Sequence, residues 1–259
     1  MTKKILYANG DSFVFGMECL EDNPVSEDNK MYAFPKIIGD NLGVSTYINN
    51  SYNGATNDFI FKNTIIDLKN LENQGHRPED IFVVIGITSL YRTEIDADNW
   101  VGNPVDLRKI LDIMKLDRYA GYPASYDKYN TIFVNPNYFL NLKIKGQIYN
   151  IDQDTKEFLA RFLWTENVQR RSQEARMIAL NDILTLKGYK HIFVNTVHTF
   201  SNVETLDLTC KNFYKIDSET FYQFGIKFPE EHRLGNHFSP VPHIKYAEIL
   251  FDYIQKNIL

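Results

Sequence analysis

The stretch KILYANGDSFVFG, residues 4–16, runs apolar, breaks at Asn-Gly-Asp-Ser and turns apolar again. Ile5 to Ala8 read as an apolar first strand, whereas Asn, Gly, Asp and Ser are turn formers: glycine tolerates positive φ, and the others bond nearby backbone amides. The break therefore closes a first strand and leaves Asp11 and Ser12 just past its carboxyl end. In an open parallel sheet that is where ligands bind. What decides the fold is whether strand and helix go on alternating.

They do over the first third of the chain. AFPKIIGDNLG (33–43) puts Phe34, Ile37, Ile38 and Leu42 on one face, with Pro35 at the start and Gly43 as the stop, which predicts a helix. VSTYIN (44–49) reads as a short strand, NDFIFKNTIIDLKNLEN (57–73) as a helix, and DIFVVIGI (80–87) as a central strand buried on both sides. This is the pattern of a parallel sheet wound with helices. From about 96 to 160 it lapses into Asn, Asp, Tyr and Pro, with only DLRKILDIMKL (106–116) helical, and reads as an insertion or lid. A helix at 164–188, a strand at 191–197 and a helix at 240–257 resume it, so a single domain over 1–259 is expected.

Composition narrows the class. With 44% hydrophobic residues in 259 the chain can bury a sizeable core. A net charge of -5, with no basic run longer than Arg170-Arg171, does not predict nucleic-acid binding. Cys19 and Cys210 are distant from each other, so neither a disulfide framework nor a metal site is signalled. No apolar run is long enough for a membrane span or a secretion signal, which points to a cytoplasmic protein without a membrane partner.

Four loops follow strands or precede the last helix and can meet at one site: Gly10-Asp11-Ser12, NSYNGATN (50–57), GITS (86–89) and GNHFSPVPH (235–243). A nucleophile, a base and oxyanion donors are what ester hydrolysis requires. Ser12, a histidine of the last loop and amides near Gly54 can supply them.

These features together resemble the SGNH, or GDSL-type, hydrolases. The resemblance covers the first third and both ends of the chain, and it implies a three-layer α/β/α fold with a mostly parallel, flavodoxin-like sheet. It also implies a serine esterase that needs no cofactor and no metal, acting on a small-molecule or carbohydrate acyl ester, short-acyl or O-acetyl. Ser12 then matches the nucleophile and His237 the base, with His243, in the second histidine position of HFSPVPH, as the alternative base. The Ser12 and Gly54 amides, helped by Asn57 or Thr88, match the oxyanion donors. Asp11 and Arg92 become candidate substrate contacts, and the Tyr-rich insertion a lid, a partner surface or a homo-oligomer contact.

Two departures stand out. Thr88 replaces the asparagine of the third block, a form that resembles members encoded by bacteriophages, and Leu234 stands where an acid three residues before the base is expected. Glu231, Glu230 or a backbone carbonyl can take the acid's place, or Ser12 and His237 can work as a dyad. Acyl transfer to an acceptor other than water uses the same residues. A noncatalytic binding or structural protein on the same fold is the rival reading.

Overall fold

The structure, a computed structural model, describes residues 4–89, 166–197, 203–233 and 237–259, and the backbone of five short strands between 93 and 150. The helix expected at 106–116 lies outside the described residues, as do Arg92 and Leu234. The chain divides into two compact units, Met1–Ser89 with Gln173–Leu259, and Leu90–Ser172.

The first unit is built on strands β1 (Ile5–Asn9), β2 (Thr46–Asn49), β3 (Ile81–Ile87), β9 (Lys190–Asn195) and β10 (Phe213–Tyr214). All pair in parallel, in the order β10-β9-β3-β1-β2. Counted within this sheet the order is 2-1-3-4-5, the flavodoxin-like winding, whose topological switch lies between β1 and β3. The helices are α1 (Ser12–Phe15), α2 (Phe34–Leu42), α3 (Asn57–Asn73), α4 (Glu166–Lys187), α5 (Phe221–Gly225) and α6 (Pro240–Asn257).

The period of two in the strands sends neighbouring residues to opposite layers. Leu6 and Ala8 of β1, Phe82 and Val84 of β3, and Ile192 and Val194 of β9 face a core shared with Phe34 and Ile38 of α2 and Tyr246, Leu250 and Ile254 of α6. Tyr7 and Asn9 face the other way: the Tyr7 hydroxyl donates to Asp67 at 2.7 Å, and the Asn9 amide to the Ile60 carbonyl at 3.0 Å, both on α3. Lys187 of α4 reaches Glu72 of α3 at 2.8 Å. Sheet between two helix layers is thus the three-layer α/β/α arrangement, and each fully buried Leu- to Phe-sized side chain contributes about 1.5–3 kcal/mol.

In the second unit, β4 (Thr93–Asp96), β5 (Asp117–Tyr119), β6 (Thr131–Val134), β7 (Asn141–Ile144) and β8 (Gln147–Asn150) form an antiparallel sheet in the order β4-β6-β7-β8-β5. The insertion after the third parallel strand therefore carries its own sheet, which periodicity passes over. α1, α5 and β10 also escape a periodic reading, because two to five residues complete no repeat. Among the described residues no helix is long and apolar enough to cross a membrane.

Candidate active site

The turn after β1 is held by its own residues. Asp11 caps α1, its Oδ1 accepting the Phe13 N–H at 3.0 Å, and Gly16 ends the helix at a φ of 79°. A Cβ on Gly10 would come within 2.3 Å of Val14 Cγ2, and one on Gly86 within 2.2 Å. Those two glycines let α1 settle on the ends of β1 and β3, at the topological switch. Ser12 is buried there, with 3% of its surface exposed.

His237 comes to the same point from the far end of the chain. Its loop is tied back on itself: the Arg233 N–H donates to the His237 carbonyl and the Ser239 N–H to that of Glu231, both at 2.9 Å. Phe13 packs beside the imidazole, ring centres 4.9 Å apart. Nε2 of His237 lies 2.8 Å from Ser12 Oγ, the separation a base needs to take the hydroxyl proton.

The second loop joins the first through the Tyr52 N–H, which donates to the Gly10 carbonyl at 3.0 Å. Gly54 sits at a φ of 78°, in the left-handed region that favours glycine. Neither the Gly54 nor the Ser12 backbone N–H has a hydrogen-bond partner among the described residues. Two amide donors thus stand unengaged in the loops that flank the serine.

Thr88 and Asn57 are brought to the site but bond each other. The Thr88 N–H donates to Asn57 Oδ1 at 2.9 Å, and Asn57 Nδ2 donates to the Thr88 carbonyl at 3.2 Å. The Thr88 hydroxyl gives its proton to Asp11 Oδ2 at 2.8 Å, and Thr196, past β9, gives its own to the same oxygen at 2.8 Å. Asp11 is fully buried, so its carboxylate joins the ends of β1, β3 and β9.

His243 is buried and accepts the Phe34 N–H at Nδ1, 3.2 Å away, with its ring stacked on Phe34. Burial, and then the nearby charge of His237, push its imidazole down to about 3, so it is neutral and serves as a pin between α2 and α6. Cys19 is buried too, and burial pushes its thiol up to about 12, which keeps it protonated. Glu231 is engaged by the Ser239 hydroxyl, and Glu230 is exposed. Among the described residues no group of His, Cys, Asp and Glu is arranged to hold a metal ion.

The group that sequence reasoning misses is Glu18. Its Oε2 stands 3.4 Å from His237 Nδ1, an ion-pair separation; no hydrogen bond to that nitrogen is formed among the described residues. Only its place in GMECLED, just after the Asn-Gly-Asp-Ser turn, offers a signal, and the acid is sought instead beside the histidine.

No family model matches this chain, and no curated protein does. Among solved structures, one reported as "The active site of a carbohydrate esterase displays divergent catalytic and non-catalytic binding functions" aligns at 13% identity and a TM-score of 0.47. The alignment covers 99% of this chain and 69% of that one. Likeness at that level says nothing about activity, which has to be argued from the site.

Proposed function

We propose that this protein is a serine esterase of the SGNH type. The observation that carries the proposal is the 2.8 Å contact between Ser12 Oγ and His237 Nε2, made by residues from opposite ends of the chain at the switch point of a parallel sheet. A buried serine within reach of a histidine is the arrangement that activates a hydroxyl as a nucleophile.

In this mechanism Ser12 Oγ attacks the ester carbonyl carbon as its proton passes to His237 Nε2. The carbonyl oxygen, now an oxyanion, is met by the Ser12 and Gly54 N–H groups, neither of which has a partner among the described residues. His237 returns the proton to the leaving alcohol, and water then releases the acyl group by the same steps in reverse. Thr88 and Asn57 support the floor of the site through their mutual bonds, and Asp11 holds α1 in place from below. The burial of Ser12 favours a short acyl group, such as an O-acetyl, on a small alcohol or a carbohydrate.

Labelling with a fluorophosphonate tests the reading. The wild-type protein becomes covalently modified at Ser12, and Ser12→Ala and His237→Ala do not. A folded wild-type protein that stays unlabelled, and leaves a panel of acetyl and other short-chain esters intact, would point to the binding-protein reading instead.

A further inference from the structure

We infer that Glu18 is the positioning residue for His237, supplying from the nucleophile's own loop the acid that the position of Leu234 does not provide. The inference rests on the serine esterase reading, since a positioned imidazole matters only if it serves Ser12. The geometry comes first. Glu18 Oε2 and Ser12 Oγ stand at the two nitrogens of one ring, 3.4 Å from Nδ1 and 2.8 Å from Nε2. Both partners are largely withdrawn from water, their side chains 12% and 13% exposed, so their attraction is weakly screened.

The backbone supports the same conclusion. Glu18 has a φ of 65°, a conformation that non-glycine residues seldom adopt and that tends to be kept where function requires it. It is imposed from several sides. Gly16 turns the chain at the end of α1, passing so close to the backbone of Asn29 that a Cβ would lie 2.7 Å from its carbonyl oxygen. The Met17 N–H then bonds the Ser12 carbonyl, and the Glu18 N–H bonds the Pro24 carbonyl, both at 2.9 Å. Asn29, fully buried, fixes the rest of the loop: it accepts the Leu20 N–H at 2.7 Å and donates to the carbonyls of Asn23 and Ser26. The loop thus delivers one carboxylate to one ring nitrogen from a built frame.

A carboxylate there selects the tautomer with the proton on Nδ1, leaving Nε2 free to accept from Ser12, and it stabilises the imidazolium formed during attack without taking its proton. The contact shortens to a hydrogen bond as that charge develops, since catalytic bonds are often long in the resting site.

The test compares wild type, Glu18→Gln, Glu18→Asp and, as a control on an exposed neighbour, Glu230→Gln. Glu18→Gln is expected to lower ester turnover roughly 10²- to 10⁴-fold, mostly in kcat. It also moves the acid limb of the pH–rate profile to lower pH, since a lost carboxylate no longer favours the imidazolium. Glu18→Asp keeps the charge and recovers part of the rate, and Glu230→Gln matches wild type. A proton NMR spectrum recorded in acid, where the imidazolium forms without any substrate, reads the pair: the His237 Nδ1 proton then lies far downfield in wild type and is lost in Glu18→Gln. If Glu18→Gln keeps both the wild-type pH–rate profile and the downfield proton, the inference is overturned while fluorophosphonate labelling of Ser12 still stands. If labelling fails in wild type, the esterase reading falls, and the downfield proton alone decides whether Glu18 and His237 are coupled.

Discussion

Glu18 occupies a backbone conformation that costs an ordinary residue on the order of 1–3 kcal/mol, and it does so 3.4 Å from the His237 ring. Glycine would sit there without strain. Replacing Glu18 by glycine is therefore expected to separate stability from function: unfolding free energy stays within about 1 kcal/mol of wild type, or rises, while ester turnover drops as far as in Glu18→Gln. Thermal unfolding alongside an esterase assay checks this. A large loss of stability would mean that the Glu18 side chain holds the loop itself together. The residue scale also shows why the site is only half legible in the sequence. Ser12 and His237 stand in local patterns, GDS after a strand and HFSPVPH before a helix, that can be matched one after the other. Glu18 has no such pattern. Its relation to His237 exists only once β1 and α6 have been packed against the same sheet, and the local expectation of an acid three residues before the base meets Leu234.

The elements were legible where burial is uniform. β3 runs Ile81–Ile87 with every residue buried, and α3 and α6 have the bounds that their periodicity and caps predict, Asn57–Asn73 and Pro240–Asn257. The antiparallel strands were not, although NLKIKGQIYN (141–150) holds two short alternating runs two residues apart, a hairpin spacing weakened by Lys-Gly in place of Asn-Gly. α6 also carries a local flaw. The Tyr246 side chain is fully buried among Phe34, Phe221 and Phe224, with ring centres 4.9–5.4 Å apart, and its hydroxyl has no hydrogen-bond partner among the described residues. Burial holds that hydroxyl well above its ordinary pKa, so it is a neutral polar group in an apolar layer. Tyr246→Phe removes the oxygen and keeps the ring, and is expected to stabilise the protein by about 1 kcal/mol. Urea unfolding measures it; a destabilised variant would show that the oxygen is hydrated or bonded in solution.

At the scale of the whole molecule, the buried histidines set how the fold responds to acid. Burial pushes His243 down to about 3 and His191 down to about 4, from an ordinary value of 6.5. Both are therefore neutral in the native state at pH values where the unfolded chain takes up protons. Because the folded values lie below the unfolded one, the stability they contribute is complete above about pH 6.5 and is lost as pH falls towards the folded values. Between pH 7 and pH 5 each should cost about 2 kcal/mol. The carboxylates held low by cations or hydrogen bonds, among them Glu72 beside Lys187 and Glu219 beside Lys227 and Lys215, lose their contribution only below their ordinary 4.5, so they leave this window to the histidines. His191 is placed by Tyr189 and Asn181, whose oxygens lie 3.2 and 3.0 Å from its two nitrogens, and His243 by the Phe34 amide. Urea titrations at pH 7, 6 and 5 should show the fall in wild type and about half of it in His243→Asn, whose amide oxygen can still accept the Phe34 N–H. A wild-type stability that is flat across those three values would mean that both imidazoles are charged inside the fold, and His243 would then need a second partner besides the Phe34 amide.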